Sequence, residues 1–361
     1  CIQACPTHIE IPRFIKQIAS DNLTGSAKTI LEANALGHSC ARVCPVEVLC
    51  EGACVYHDWH EKPIQIAALQ RRATDHLHAQ DIKPFKPAPD NGHRVAVIGA
   101  GPSGVACAVY LRRMGYPVTI FEKRKLPGGL NTYGVAEYKM DQPTSLEEVK
   151  HLFSLGADVV MGKEVGKNPR VEEVLSDFEA VFIGIGLSGT RSLRIPGEEL
   201  DGVWDALSFI HYVKARDLKA LGQSACTVVI GAGNTSIDAV TQSKRTGSAK
   251  VVMAYRRGPQ DMSAYSFEYD LAKKDGAEFL WNAAPVRILG KRKVEGIEFQ
   301  KMAAKGGKLV PVAKSKFKVA CDRVIKAIGQ TKHFGLAKAF NLKLSADGRI
   351  AVNPETLQTS D

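Results

Sequence analysis

Two short apolar segments, each closed by a glycine-rich turn and followed by a helix-forming stretch, constrain this chain more than any other feature. The first, Arg94-Val95-Ala96-Val97-Ile98, runs into Gly99-Ala100-Gly101-Pro102-Ser103-Gly104. A helix-length stretch then leads to a second apolar segment, Val118-Thr119-Ile120-Phe121-Glu122. Short apolar runs bounded by turns read as buried strands, and strand, helix and strand together make a βαβ unit. The pattern returns with Thr227-Val228-Val229-Ile230, the turn Gly231-Ala232-Gly233-Asn234-Thr235-Ser236, a helical stretch, and Lys250-Val251-Val252-Met253-Ala254-Tyr255. Val181-Phe182-Ile183-Gly184-Ile185-Gly186 is likewise echoed by Val324-Ile325-Lys326-Ala327-Ile328-Gly329. The sequence predicts an α/β chain holding two copies of one nucleotide-binding plan.

Each glycine in the first turn has its own physical task. Gly99 permits the tight bend, Gly101 lets backbone approach a diphosphate, and Gly104 lets helix and strand pack closely. The free N–H groups and the dipole of the helix that opens there favour an anion. Glu122 ends the next strand, where a carboxylate can accept hydrogen bonds from ribose hydroxyls. Just beyond it, Pro127-Gly128-Gly129-Leu130 would let backbone pass close to a flavin. In the second turn Ser236 replaces the third glycine and is still small. Its second strand ends in Tyr255-Arg256-Arg257-Gly258, where an acid would read an unmodified ribose. Arginines there suit a 2′-phosphate and favour NADP over NAD; the plainer alternative is a pair of exposed strand-end arginines. Two nucleotide sites in series suit a bound flavin and a nicotinamide that delivers hydride to it.

Six of the nine cysteines fall within the first 54 residues, so that segment carries chemistry of its own. Ile11, Phe14, Ile15 and Ile18, and later Ile66, Leu69 and Ala73, recur at helical spacing, which makes residues 1 to 80 helical. The spacings are Cys1-x3-Cys5-Pro6, Cys40-x3-Cys44-Pro45 and Cys50-x3-Cys54. A cysteine followed by proline resembles the tail of a ferredoxin-type run. Zinc sites favour two-residue gaps, and disulfides suit an oxidising compartment, so iron–sulfur ligation leads zinc and disulfides as the reading. Cys107, Cys226 and Cys321 stand alone among apolar neighbours and read as small core residues.

The chain has 361 residues, 45% hydrophobic and 24% charged, which is globular composition with room for two or three domains. Its formal charge of +10 is scattered and not interleaved with aromatics, which argues against nucleic acid and for anionic cofactors or an acidic partner. No apolar run approaches a membrane span. The opening Cys1-Ile2-Gln3-Ala4-Cys5-Pro6 has the wrong chemistry for a secretion signal and begins in mid-motif, as a fragment would; a reducing cytoplasm is expected. Lys83 to Gly92, with three prolines, reads as a linker.

Taken together, Cys1-x3-Cys5-Pro6, Ala41-Arg42-Val43-Cys44-Pro45, Leu49-Cys50-x3-Cys54, Leu69-Gln70-Arg71, both glycine turns and Ala327-Ile328-Gly329-Gln330 give the whole chain a resemblance to one family. It resembles the electron-input subunit of bacterial NAD(P)-dependent dihydropyrimidine dehydrogenase and is similar to the small subunit of glutamate synthase. The resemblance implies an α-helical iron–sulfur domain (1–88) ahead of two Rossmann-like domains of glutathione-reductase type, one inserted in the other. These are an FAD domain (89–196 plus 331–361, C-terminally truncated) and an NAD(P) domain (197–330).

It further implies two 4Fe–4S clusters. One would use Cys5, Cys44, Cys50 and the side-chain oxygen of Gln70, a residue that by itself reads as a surface glutamine on a helix. The other would use Cys1, Cys54 and two cysteines expected just upstream, so that this piece cannot complete it; Cys40 is not a ligand in this scheme. The glutamine tilts the resemblance toward the pyrimidine enzyme, because glutamate synthase small subunits tend to carry an acid there. FAD maps onto Gly99, Ala100, Gly101, Pro102, Ser103, Glu122, Gly129, Leu130, Lys139 and Val165, with a further segment expected just after Ser360-Asp361. The nicotinamide nucleotide maps onto Ala232, Gly233, Asn234, Thr235, Arg256, Arg257, Ala327, Ile328 and Gly329.

The implied reaction is NAD(P)H oxidation at FAD, with electrons sent through the clusters to an FMN-containing partner that reduces uracil or thymine. No acid, base or nucleophile for the pyrimidine step is expected in this chain, whose part is to position the flavin. The near alternative feeds the glutamine-dependent large subunit of glutamate synthase, and a more distant one is a zinc-stapled nucleotide-sensing module.

Overall fold

The computed structural model describes residues 1–359; Ser360 and Asp361, which close the expected FAD segment, lie outside the described residues. Packing divides the chain into two units. One comprises Cys1–Thr132, Lys139–Gly186 and the chain from His333 onward; the other comprises Tyr133–Tyr138 and Leu187–Lys332.

The first unit opens with four helices, α1 (Ile11–Ala19), α2 (Leu23–Ala33), α3 (Gly37–Val43) and α4 (Ile66–Ala79). Pro12 fits the first turn of α1, and the Asn22 side chain caps α2 by accepting from Gly25 N at 2.8 Å. Ile11, Phe14, Ile30, Ile66, Ala73 and Leu77 form one core, in which Cys5 and Cys50 are buried. Fully burying Phe14 and Leu77 contributes roughly 2 kcal/mol each.

The chain then alternates through β1 (Val95–Ile98), α5 (Pro102–Arg113), β2 (Val118–Glu122), α6 (Leu130–Tyr133), α7 (Gln142–Phe153), β3 (Asp158–Met161), α8 (Val171–Asp177) and β4 (Ala180–Ile183). These strands make a parallel sheet in the order β3-β2-β1-β4. All four residues of β1 are buried, as a central parallel strand requires. The expected linker at 83–92 contains no helix or strand.

The second unit contains β5 (Ser188–Thr190), β6 (Val203–Asp205), α9 (Ala206–Lys214), α10 (Leu218–Leu221), β7 (Cys226–Ile230), α11 (Asn234–Arg245), β8 (Lys250–Ala254), α12 (Ser266–Lys274) and β9 (Glu278–Leu280). It continues with β10 (Ala283–Leu289), β11 (Gly296–Lys305), β12 (Lys308–Val319), β13 (Arg323–Lys326) and β14 (Gln330–Thr331). Its parallel sheet has the order β6-β13-β7-β8-β9. Thus β7 lies between β8 and β13 as β1 lies between β2 and β4, and the repeated sequence pattern is a repeated topology.

Strands β10, β11 and β12 form an antiparallel sheet that the sequence reading did not anticipate. Ile288, Ile297 and Phe299 on its inner face share a core with Val228, Ile230 and Val252 of the parallel sheet. After β14 the chain forms α13 (Phe334–Ala339) in the first unit. Among the described residues no helix is long and apolar enough to cross a membrane.

Candidate cofactor sites

The first glycine turn is built as its sequence requires. Gly99 has φ +103°, and a Cβ there would lie 2.7 Å from the Gly184 carbonyl oxygen at the end of β4. A Cβ at Gly104 would collide with the Gly99 carbonyl oxygen, so α5 packs against its own turn. A Cβ at Gly101 would lie 3.8 Å from Gly129 Cα and 4.0 Å from the Gly184 carbonyl oxygen, so that face is open for a phosphate. Pro102 occupies the first turn of α5, followed by Ser103, while Ala100 is buried beneath. Glu122 is buried; it accepts from Ala100 N and Arg124 N, both at 2.8 Å. A carboxylate has about four lone-pair sites, so capacity remains for ribose hydroxyls.

Gly129, at φ +55°, abuts the turn so closely that a Cβ there would lie 2.6 Å from Gly101 Cα. This brings Leu130, the first residue of α6, toward the same turn. A cavity of about 310 Å³ is lined by Gly99, Phe121, Glu122, Val165, His333 and Leu336 among others; half-buried Lys139 is not part of its lining.

The second turn repeats the first with different chemistry at the strand end. Gly231 has φ +135°, and a Cβ there would collide with the Ala327 carbonyl oxygen. Ser236 fills the third-glycine position fully buried and donates to Ala327 O at 3.3 Å. Gly233 has only Ser263 Oγ near its open face, at 3.5 Å. Gly231 N donates to Ala254 O as Gly99 N donates to Phe121 O. Tyr255 therefore stands where Glu122 stands in the first unit, with Arg256 beside it.

A cavity of about 960 Å³ is lined by Ala232, Gly233, Asn234, Thr235, Tyr255, Arg256, Ala327, Ile328 and Gly329, and among the described residues no carboxylate lines it. Arg257 is exposed and outside the lining. Arg191 and Arg194 line the same cavity and were not singled out from sequence. Their signal was two arginines in Thr190-Arg191-Ser192-Leu193-Arg194, a segment with no motif of its own. That loop folds around Glu198, which accepts from Ser192 Oγ at 2.9 Å, Leu193 N at 3.0 Å and Ile195 N at 3.1 Å. Burial pushes the Glu198 carboxyl up, but these bonds and Lys326 outweigh it and hold it below its ordinary range.

In the helical segment Cys5, Cys50 and Cys54 are buried, and Cys1, Cys40 and Cys44 are half-buried. All nine cysteines are free. Cys40 and Cys44 share a hydrogen bond that lowers the first thiol to about 7 and, with burial, raises the second. Cys5 and Cys50 lie close enough to Cys44 to raise it further. Burial pushes Cys50 up to about 11.

Gln70 is only 4% exposed; its Nε2 donates to Gly37 O at 2.8 Å and its side chain hydrogen-bonds Cys40. The reading of Gln70 alone as a surface residue is therefore corrected: α4 buries it against α3. Among the described residues no three His, Cys, Asp or Glu side chains converge on a point suited to one metal ion. Cys5, Cys44 and Cys50 neighbour one another, and the ligands of a four-iron cluster each bind a different iron. Of the isolated cysteines, Cys321 is buried and Cys107 and Cys226 are half-buried against apolar clusters.

Two family profiles cover the chain. Residues 1–82 match dihydropyrimidine dehydrogenase domain II, 4Fe-4S cluster, and residues 93–361 match pyridine nucleotide-disulphide oxidoreductase. The chain is 31% identical to the glutamate synthase [NADPH] small chain of Escherichia coli over 98% of its own length and 79% of that protein. It is 33% identical to the NADPH-Fe(3+) oxidoreductase subunit beta of Geobacter sulfurreducens over 91% of its length, spanning half of that longer relative. Among solved structures it is similar to Mycobacterium tuberculosis FprA in complex with NADPH, with TM-score 0.58 at 20% identity over 74% of this chain and 77% of that one. It is also similar to Lactococcus lactis thioredoxin reductase, with TM-score 0.56 at 20% identity over 74% and 87%. At that identity these two establish the fold, two Rossmann-like sheets of glutathione-reductase type.

Proposed function

The chain belongs to the NAD(P)H-dependent flavin and iron–sulfur oxidoreductases typified by dihydropyrimidine dehydrogenase and the glutamate synthase small chain, and from that premise we propose that it is the electron-input subunit of a pyrimidine-reducing enzyme. The general activity, electron transfer linked to NAD(P)H, FAD and an iron–sulfur domain, follows from the family. The finer reading is that electrons leave through two 4Fe–4S clusters to an FMN-containing partner that reduces uracil or thymine.

The observation that carries the path from NADPH to FAD is the contrast between the two turns. Glu122 ends the strand in one and suits the ribose of FAD, while Tyr255-Arg256 ends it in the other and suits a 2′-phosphate. Residues 89–196 and 331–361 would hold FAD, 197–330 the nicotinamide nucleotide, and 1–88 the clusters. Bound FAD supplies the means to take an electron pair and release it singly. The chain's own residues bind and orient. Gly101 and the start of α5 would present N–H groups to the FAD diphosphate, Gly99 shaping the turn while its own N–H is held by Phe121 O, and Gly104, Gly129, Leu130, Lys139 and Val165 would complete the FAD site. Gly233 and the start of α11 do the same for the dinucleotide. Cys5, Cys44, Cys50 and the Gln70 oxygen would ligate one cluster, and Cys1 and Cys54 would contribute to the other.

A second reading, feeding the glutamine-dependent large subunit of a glutamate synthase, is supported by the match over 98% of the chain. The buried amide of Gln70 at the cysteine nest favours the pyrimidine reading. The test is anaerobic purification of the full-length protein, iron, sulfide and flavin analysis, and assay of the copurified complex with each acceptor. NADPH-dependent reduction of uracil is expected. Glutamine-dependent glutamate formation would establish the second reading, and colourless zinc-containing protein would remove both.

A further inference from the structure

We infer that the loop from Thr190 to Glu198 is a second anion clamp for the dinucleotide, with Arg191 contacting its diphosphate and Glu198 holding the loop in place. The inference deepens the assignment of the second cavity to NADP and rests on it.

Sheet order separates the arginines. Strand β7 ends in the glycine turn; β8 on one side leads to Arg256, and β13 on the other leads to Ala327-Ile328-Gly329. Arg191 belongs to the β13 side. Thr190 pairs with Gln330 across β5 and β14, and Arg191 N donates to Gly329 O at 3.0 Å. The Arg191 Nε lies 3.9 Å from where a Cβ of Gly329 would be, so the side chain lies along that bend. A dinucleotide crosses the glycine turn with its adenosine ribose at the β8 end and its diphosphate over the turn. Arg256 therefore faces the ribose phosphate, and Arg191 faces the diphosphate from the opposite side.

The charges are placed for an anion. Arg245 and Arg287 in the same unit pair with Asp275 and Glu298. Among the described residues Arg191, Arg194 and Arg256 have no carboxylate partner, and they share a cavity whose lining contains no acid. Guanidinium forks recognise phosphate oxygens through paired N–H donors.

Glu198 does not line the cavity. It gathers Ser192, Leu193 and Ile195 and pairs with Lys326 at the end of β13, 3.3 Å away. It thus ties the arginine loop to the strand that carries the Ala327–Gly329 bend. Glu198 is a positioning residue, and Arg191 the residue that touches ligand.

The experiment titrates the full-length protein, in complex with its partner, with NADP⁺ and with NAD⁺, using flavin absorbance to verify the fold of each variant. Arg191→Ala should weaken both dinucleotides by the same factor, about tenfold or more, and Arg191→Lys should recover part of it. Arg256→Ala should weaken NADP⁺ at least tenfold more than NAD⁺. In steady-state turnover with NADPH and NADH, Glu198→Gln should raise KM for both nucleotides less than Arg191→Ala does, with kcat at saturation unchanged. Unchanged affinities in Arg191→Ala, or a loss confined to NADP⁺, would overturn the diphosphate role. Glu198→Gln matching the wild type would remove the positioning role. Wild-type protein that binds neither dinucleotide would instead refute the cavity assignment beneath the inference.

Discussion

Ser39 donates to Glu148 twice, from its backbone N–H at 3.1 Å and from its hydroxyl. His38 N adds a third bond, at 2.9 Å. A carboxylate on α7 thereby caps α3, the helix that ends at Cys44, and fastens the cysteine-bearing helices to the first sheet's helical layer. The four orphan N–H groups of a helix start make such a cap worthwhile even when buried.

Burial pushes the Glu148 carboxyl up to about 7 against the opposing pull of Ser39 and His38. A folded value above the ordinary 4.5 means that its contribution is fully present below pH 4.5 and is lost as pH rises through about 7. Glu148→Ala should cost about 2–4 kcal/mol through unsatisfied N–H groups. Glu148→Gln keeps an acceptor without the charge. Relative to wild type it should gain roughly 2.5 kcal/mol between pH 5 and pH 8 in urea unfolding. An equal difference at the two pH values would show that Glu148 does not titrate across this range.

Beside this cap, three histidines form a buried ladder, with ring centroids 4.1 Å apart for His38 and His78 and 4.8 Å for His78 and His151. Burial lowers all three, to about 3, 4 and 4, helped by nearby positive charge from Arg42 and Lys83. Depressed values mean the neutral rings are favoured. Their contribution is complete above pH 6.5 and is lost as pH falls through 4. Unfolding free energy should therefore fall steeply below pH 6.5, and His151→Phe should lower the slope by about one proton. A slope that survives the substitution would exclude His151 as a contributor.

The two arginines at the end of β8 are separated by the cavity. Arg256 lines it and Arg257 does not. Arg256→Ala should raise KM for NADPH at least tenfold more than for NADH, whereas Arg257→Ala should have a smaller effect on the same ratio. Steady-state kinetics with both nucleotides decide it, and equal losses for NADPH and NADH in Arg256→Ala would remove the 2′-phosphate assignment.

The sequence made the turns legible because their geometry leaves little choice. Gly99 and Gly231 both have positive φ, and at each a Cβ would crowd the carbonyl at the end of a neighbouring strand. Their spacing from Glu122 and Arg256 followed from strand length. Gln70 was misread for an identifiable reason. The buried stripe of α4 is Ile66, Gln70, Ala73 and Leu77, at i, i+4, i+7 and i+11, whereas the sequence reading placed Leu69 on it; Leu69 is only half-buried. A polar residue on an apolar stripe was visible, but its partners Gly37 and Cys40 come from a distant helix. The antiparallel sheet was also missed, although residues 314–319 alternate exposed and half-buried as strands do. Arg191 and the histidine ladder gain meaning only from contacts between residues far apart in the chain, and Glu198 from loop bonds that no sequence motif announces.

Gln70 gives the sharpest test of the cysteine nest, because its structural and ligand roles respond differently. Gln70→Leu removes both the donor to Gly37 O and the amide oxygen. A purely structural glutamine would lower the melting temperature and leave iron content alone. A ligating one would lose iron, because the replacement offers no donor atom to the fourth site. Gln70→Glu keeps an oxygen and adds negative charge, which stabilises the oxidised cluster and should lower its reduction potential. Iron analysis of anaerobically purified protein, with a redox titration followed by electron paramagnetic resonance, separates the cases. Full iron and an unchanged potential in both variants would assign Gln70 to packing between α3 and α4 alone.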